Sequence, residues 1–156
     1  MIRTRTNRMK RIFLFVMATA MLCACDSDRV FEKYQGMESQ SWILNDTVSF
    51  HFEDPLESSA SLIAVKYNQD YEFRNLYLRY FLLDSAGKEI ESQLVNIPLF
   101  ESTSGKPLGT GYGNTYARFD TLPIESGENY RSIHFVQYMR LENLRGIEAV
   151  GLKRVK

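Results

Sequence analysis

The segment TVSFHFE, residues 47–53, alternates apolar and polar side chains with a period of two. Its apolar residues are Val48, Phe50 and Phe52, and the residues between them are polar or charged. Successive side chains of a β-strand point to opposite faces of a sheet, so this pattern predicts a half-buried strand with one wet face. The dipeptide Asp54-Pro55 follows at once and predicts that the strand ends there.

Similar segments recur along the rest of the chain. They are rich in β-branched and aromatic residues or alternate in polarity, and they cover residues 61–68, 74–84, 88–98, 129–138 and 150–155. The turn sequence Asp84-Ser-Ala-Gly87 joins two of them and predicts a hairpin, whereas residues 137–144 predict a short helix or turn. Roughly six or seven short strands with intervening turns, and no βαβ spacing, predict a mainly β fold. We expect an antiparallel β-sandwich, immunoglobulin-like or jelly roll, over residues 42–156.

The N-terminal residues have the character of a secretory signal. Residues 1–11 carry basic side chains and no acid, and residues 12–22 are apolar except for Thr19. This order is typical of a signal peptide, and the apolar run is shorter than the roughly 20 residues that a transmembrane helix needs. We therefore predict a signal peptide over residues 1–24, with an N-terminal membrane anchor as the alternative.

The two cysteines of the chain follow this run, at Cys23 and Cys25. A disulfide between residues two apart has unfavourable geometry, and a metal site would need further ligands. The sequence Leu22-Cys-Ala-Cys25 instead resembles a bacterial lipobox, in which Cys25 becomes the acylated residue and Cys23 is removed with the signal. This interpretation predicts a protein anchored in the cell envelope by lipid, at the outer membrane.

Cleavage before Cys25 changes the charge of the molecule. The full chain has 19 Lys and Arg and 19 Asp and Glu, and five of the basic residues lie within residues 1–24. The mature chain is therefore acidic, with a formal charge of −5, which argues against nucleic acid as a partner.

Residues 25–41 are mostly polar and predict an acylated tether that docks in part on the domain. Asp26 and Asp28 place acid directly after the acylated cysteine. They are either the solvated start of the tether or a sorting signal, and the sequence leaves both interpretations open.

The sequence contains no spacing of nucleophile, base and acid that is typical of a catalytic site. His51 and His134 fall on the polar faces of predicted strands, far from any cysteine. We accordingly expect a protein that is not an enzyme and that has no metal and no cofactor.

The segment from residue 104 to residue 116 is rich in glycine, at Gly105, Gly109, Gly111 and Gly113. It is no phosphate-binding loop, because Pro107 follows Lys106 and no helical pattern comes next. It is either a long flexible loop with tight turns that require positive φ or a binding loop that includes Tyr112 and Tyr116. Those two tyrosines, with Trp42 and Tyr138, could form a platform for sugar or protein, although core packing is the alternative for each.

Several motifs in order resemble the GldH family of gliding motility lipoproteins. They cover nearly all of the mature chain: residues 26–34, Trp42 before a Val-Ser-Phe strand, residues 75–78, residues 105–113, residues 137–142 and residues 144–152. The resemblance implies an envelope lipoprotein of Bacteroidota that is needed for gliding and the linked type IX secretion system. It implies no enzymatic activity, and Cys25 is the one functional position that it transfers.

Two functions of different classes follow. The first is a non-catalytic accessory protein that contacts other envelope proteins of the gliding and secretion machinery. The alternative is a lipid-anchored β-sandwich that binds glycan through exposed aromatic rings.

Overall fold

The structure is a computed structural model that describes residues 29–52, 60–127 and 130–156. Within these residues the chain forms eleven strands and one short 3-10 helix, Glu38–Gln40. The strands are β1 (Arg29–Gly36), β2 (Ser41–Ile43), β3 (Val48–His51), β4 (Ala60–Tyr67), β5 (Asn75–Leu83), β6 (Glu89–Pro98), β7 (Thr110–Tyr112), β8 (Thr115–Thr121), β9 (Ser132–Gln137), β10 (Asn143–Arg145) and β11 (Ile147–Val155).

The strands pair antiparallel in three sheets. A five-stranded sheet has the order β1-β11-β4-β8-β7, and a four-stranded sheet has the order β3-β9-β5-β6. A small third sheet pairs β10 with β2. The mainly β, antiparallel fold predicted from the alternating segments is therefore confirmed.

One hydrophobic core joins the inner faces of the two large sheets. Ile63 and Val65 of the five-stranded sheet belong to the same buried cluster as Leu78 and Phe135 of the four-stranded sheet. The two sheets therefore form a sandwich, because each hides an apolar face that a single sheet would leave in water. Val48, Phe50 and Phe52 are buried in this core, as their alternation predicted.

The predicted hairpin at Asp84 is also confirmed. β5 and β6 pair along almost their whole length, and the Asp84 side chain accepts hydrogen bonds from Ala86 N and Lys88 N at 2.8 and 2.9 Å. Gly87 at φ 77° supplies the left-handed position of the turn.

The structure differs from the predicted tether over residues 25–41. Residues 29–36 are strand β1, which pairs with β11 from Arg29↔Val155 to Gly36↔Ala149. β1 is the edge strand of the five-stranded sheet, and most of its side chains are polar. Its few apolar side chains contact the core, as in Phe31, whose ring centroid lies 5.1 Å from that of Phe52. The β-domain thus extends N-terminal to residue 42, while the predicted signal peptide lies outside the described residues.

Residues 137–144, predicted to form a short helix or turn, are a non-helical connection from the end of β9 to β10. A further strand was not predicted. β8 was missed because all but one of its residues are half-buried, so its sequence TYARFDT shows no alternation. In the part of the chain that the structure describes, no helix is long and apolar enough to cross a membrane.

Candidate functional site

The glycine-rich segment lies at one end of the sandwich. The strand register puts Gly36, Ile147, Tyr67 and Tyr116 at this end, and Arg29, Val155, Ala60 and Thr121 at the other. We call the end with Gly36 and Tyr67 the far end. The end with Arg29 and Thr121 is the near end, because β1 begins there.

The segment is not one long flexible loop but two short hairpins in succession. The first closes through Leu108 N to Leu99 O at 2.8 Å and Glu101 N to Lys106 O at 2.8 Å. The second is formed by β7 and β8, with Gly113 and Asn114 in the turn between them.

The glycines of the segment are explained by these hairpins. Gly105 and Gly113 have φ of 67° and 66°, as the turn interpretation predicted. Gly109 and Gly111 are required for another reason, since a Cβ atom would lie 2.7 Å from Ala117 O and 2.0 Å from Thr115 O respectively. All four glycines are therefore explained by the turns and close backbone approaches of the two hairpins.

Tyr67 fastens the first hairpin to the core. Its hydroxyl donates to Leu99 O at 2.6 Å and accepts from Gly109 N at 3.0 Å. Burial raises the pKa of Tyr67, so the group remains a neutral donor. The Tyr116 ring packs beside it, with ring centroids 5.8 Å apart.

The four aromatic residues that the sequence singled out are separated in the structure. Trp42 is fully buried and donates through Nε1 to Asp46 O at 2.9 Å, so core packing, the alternative to a binding platform, applies to it. Tyr112 is 97% exposed at the tip of the second hairpin, and Tyr116 is half-buried. Tyr138 lies on the outer face of the four-stranded sheet and is 41% exposed.

An open cleft of about 470 Å³ lies between the first hairpin and the loop before β5. Its aromatic wall comprises Tyr71 and Phe100, whose rings stack at 6.5 Å, and Phe73, which is 36% exposed. Glu72, Arg74, Glu101, Gly105 and Pro107 are among its other lining residues.

Phe73 and Phe100 were not recognisable from the sequence, because they are distant along the chain and only the tertiary fold brings them together. The loop glycine Gly105 was the only signal toward the cleft.

His51 and His134 lie on the outer face of the four-stranded sheet, as predicted, with ring centroids 5.8 Å apart. Burial lowers the pKa of His134, and the nearby His51 lowers it further, so the His134 ring is held neutral. Among residues 29–52, 60–127 and 130–156, no three His, Cys, Asp or Glu side chains are grouped so as to hold a metal. Cys25, Asp26 and Asp28 lie outside the described residues.

Comparison with known proteins places this domain in a family. Residues 29–153 match the model of the GldH lipoprotein family. The gliding motility lipoprotein GldH of Flavobacterium johnsoniae is 24% identical, over 94% of this chain and 96% of that protein. The GldH homolog of Christiangramia forsetii is 26% identical, over 91% of this chain and 93% of that protein.

Among solved structures, the VP2 subviral particle of infectious bursal disease virus is 12% identical and has a TM-score of 0.33. The match covers 80% of this chain and 30% of the viral chain, and nothing about this protein is inferred from a similarity this low. The family model, in contrast, spans all but the last residues of the described domain, and the chain belongs to the GldH lipoprotein family.

Proposed function

We propose that this chain is a non-catalytic lipoprotein of the cell envelope, which serves gliding motility and the linked type IX secretion machinery through contacts with other envelope proteins. The observation that carries the proposal is the family match over residues 29–153, with relatives that are named gliding motility lipoproteins.

In this proposal Cys25 carries the lipid and holds the domain at the outer membrane. Each buried methylene of an acyl chain contributes about 0.8 kcal/mol, so several chains give a lasting anchor. Asp26 and Asp28 follow the cysteine and would be read as part of the sorting signal.

The arrangement of side chains supports contact rather than catalysis. The two histidines lie on an outer sheet face, and neither is among the residues that line the far-end cleft. The described residues of the cleft include aromatic and carboxylate side chains but no histidine or cysteine beside them that would serve as a base or nucleophile.

Deletion of the gene in its own host tests the proposed function. Complementation with the wild-type gene should restore colony spreading and the secretion of type IX cargo proteins, whereas Cys25→Ala should restore neither. A deletion strain that spreads and secretes normally would overturn the proposal.

A second function, glycan binding, is favoured by one observation. The exposed Phe73 ring lies in the cleft together with the carboxylates of Glu72 and Glu101, and sugars commonly bind between an aromatic ring and polar groups. Calorimetry with oligosaccharides from the host envelope tests it. Phe73→Ala should weaken binding at least about tenfold, a loss of ~1.4 kcal/mol, and Tyr112→Ala is the control. Equal affinities of both variants and wild type would exclude the cleft.

A further inference from the structure

The outer face of the four-stranded sheet carries large apolar side chains. Alternation along β5, β9 and β6 places Leu78, Phe135 and Ile97 in the core, and therefore their neighbours on the outside. We define the aromatic face by these outward residues: Tyr77, Arg79, Phe81, Leu94, Val136 and Tyr138, together with Arg140.

This face differs from the usual exterior of an antiparallel sheet, which is polar. Tyr77, Leu94 and Tyr138 are 40%, 40% and 41% exposed. Arg79 and Leu94 are direct partners across β5 and β6, and Tyr138 N donates to Tyr77 O at 2.8 Å. The exposed groups are thus neighbours, and contiguous exposed apolar side chains are a common feature of interaction sites.

The charged groups around Tyr138 are positive. The outward Glu89 of β6 lies toward the near end, where it pairs with Leu83 and accepts a hydrogen bond from Ser92 Oγ. The Arg79 and Arg140 guanidinium carbons lie 5.5 and 5.8 Å from the centroid of the Tyr138 ring. The outward positions of β3, β5 and β9 hold no carboxylate. The mature chain as a whole carries a formal −5, so this face opposes the charge of the molecule that bears it.

We propose that the aromatic face docks an acidic surface of a partner protein in the envelope. Tyr77, Leu94 and Tyr138 form the apolar centre of the contact, and Arg79 and Arg140 pair with carboxylates of the partner. Tyrosine and arginine are the residue types that most often dominate protein interfaces. Charge complementarity selects the partner, because a basic or neutral surface would leave both guanidinium groups without compensation.

The position of the anchor favours a protein over the anchoring membrane itself. Three residues separate Cys25 from Arg29, so the acylated cysteine lies within about 14 Å of the near end. The near end of the four-stranded sheet is the end at which Ser132 pairs with His51 and Leu83, because Phe52, the residue after His51, contacts Phe31 near the start of β1. Tyr77 and Tyr138 lie at the other end of β5 and β9. The exposed tyrosines therefore lie at the opposite end of the sheet from the lipid.

The inference rests on the proposed function, since it names the partner's chemistry for that protein contact. Its test is photo-crosslinking in living cells of the host, with p-benzoylphenylalanine in place of Tyr77 in the full-length chain. The crosslinked peptide of the partner is identified by mass spectrometry. We expect a peptide rich in Asp and Glu, and we expect Arg79→Glu with Arg140→Glu to lower the crosslink yield at least fivefold.

The chain offers a matched control on its opposite side. Lys66 and Lys153 lie 4.3 and 5.6 Å from the ring centroids of Tyr34 and Phe119 on the outer face of the five-stranded sheet. Lys66→Glu with Lys153→Glu makes the same change in net charge and should leave the yield unchanged. If the double glutamate variant of the aromatic face has a lowered melting temperature, Arg79→Gln with Arg140→Gln replaces it. We expect the same loss of crosslink yield from this variant.

Several results would overturn the inference: no crosslink, crosslinks to lipid or lipopolysaccharide only, a partner peptide without excess acid, or equal losses in both double variants. Gliding separates this failure from that of the proposed function. If the deletion strain cannot glide but p-benzoylphenylalanine in place of Tyr77 in the complementing protein crosslinks to nothing, only the inference about the aromatic face is overturned.

Discussion

Single side chains decide how the loops are fastened to the sandwich, and Glu91 is an example at the near end. Its carboxylate accepts hydrogen bonds from Ser126 N at 2.7 Å and Glu125 N at 3.1 Å, and from the Tyr80 hydroxyl. Burial alone would raise the pKa of Glu91, but these donors outweigh it and lower the pKa below its usual value. The charged form of Glu91 therefore stabilises the fold.

Glu91→Gln should lower the free energy of unfolding at pH 7 by about 1 kcal/mol, because charge-assisted hydrogen bonds become neutral ones. The lowered pKa means that this stabilisation is present above the unfolded-state pKa near 4.5 and is lost as pH falls through the folded-state value. Urea unfolding of both proteins across pH 3–7 measures the effect. Equal midpoints at pH 7 would contradict it.

The histidine pair gives a second prediction at the scale of the residue. His51→Gln should raise the pKa of His134, since the positive charge of His51 is one of its two causes. The lowered pKa also means that stability falls as pH drops below the unfolded-state value of about 6.5, where the unfolded chain binds the proton first. NMR titration of the His134 ring measures the pKa, and an unchanged value in the variant would exclude the contact.

At the scale of the element, the corner between β10 and β11 shows how the strands are connected. Gly146 has φ of 82°, donates to Gln40 O and accepts from Asn68 N, both at 2.9 Å. A Cβ atom there would lie 2.2 Å from Tyr71 N. The corner thus requires glycine both for its backbone conformation and for space.

Gly146→Ala should destabilise the protein by about 2–4 kcal/mol, because the strain of positive φ adds to displacement of the Tyr71 backbone. Gly87→Ala is the matched control, since Gly87 has φ of 77° but no neighbouring atom within 4 Å of the place that a Cβ atom would take. It should cost only about 1 kcal/mol. Thermal unfolding measures the stability of both variants. Equal losses of stability would mean that the close approach to Tyr71 has no effect.

At the scale of the whole molecule, the exposed features lie away from the proposed anchor. In the proposed processing the lipid is attached at Cys25, a few residues before Arg29 at the near end, whereas the cleft, Tyr112 and Tyr138 lie toward the far end. A short connection of this kind would keep the domain at the membrane and leave the far end open to partners, whose effective concentration rises on a surface.

Cys25→Ser should abolish acylation and move the protein out of the membrane fraction. Cys23→Ser is the control: it should leave both unchanged, because Cys23 leaves with the signal peptide in the proposed processing. Metabolic labelling with a palmitate analogue and fractionation of the envelope measure the two effects. Labelling that persists in Cys25→Ser would place the lipid elsewhere.

The alternating strands were predictable because their signal is local. Val48, Phe50 and Phe52 indicate a half-buried strand without reference to any partner, and Ile133 and Phe135 do so in β9. β4 and β5 were predictable from their content of β-branched and aromatic residues. β1 and β8 were not predictable in this way. An edge strand has few buried side chains, and a strand whose residues are nearly all half-buried has no period.

The candidate sites also combine features that are recognisable from local sequence with features that depend on the tertiary structure. The glycine segment was recognised, but its folding into two hairpins depends on Tyr67 of β4, more than thirty residues away. Phe73 and Phe100 form one cleft only because β5 and β6 pair. β5 is apolar on both faces, so the sequence did not reveal that Tyr77 and Phe81 lie on the outside.

The sequence by itself determined the β class, most strand positions, the expected lipid attachment at Cys25 and the resemblance to the GldH family, because each is written in adjacent residues. Only the tertiary structure decided that residues 29–36 complete a sheet, that Trp42 is buried, and that arginines and tyrosines gather on one outer face. These features depend on strand register and on the packing of two sheets, which are set by contacts between residues far apart in the chain.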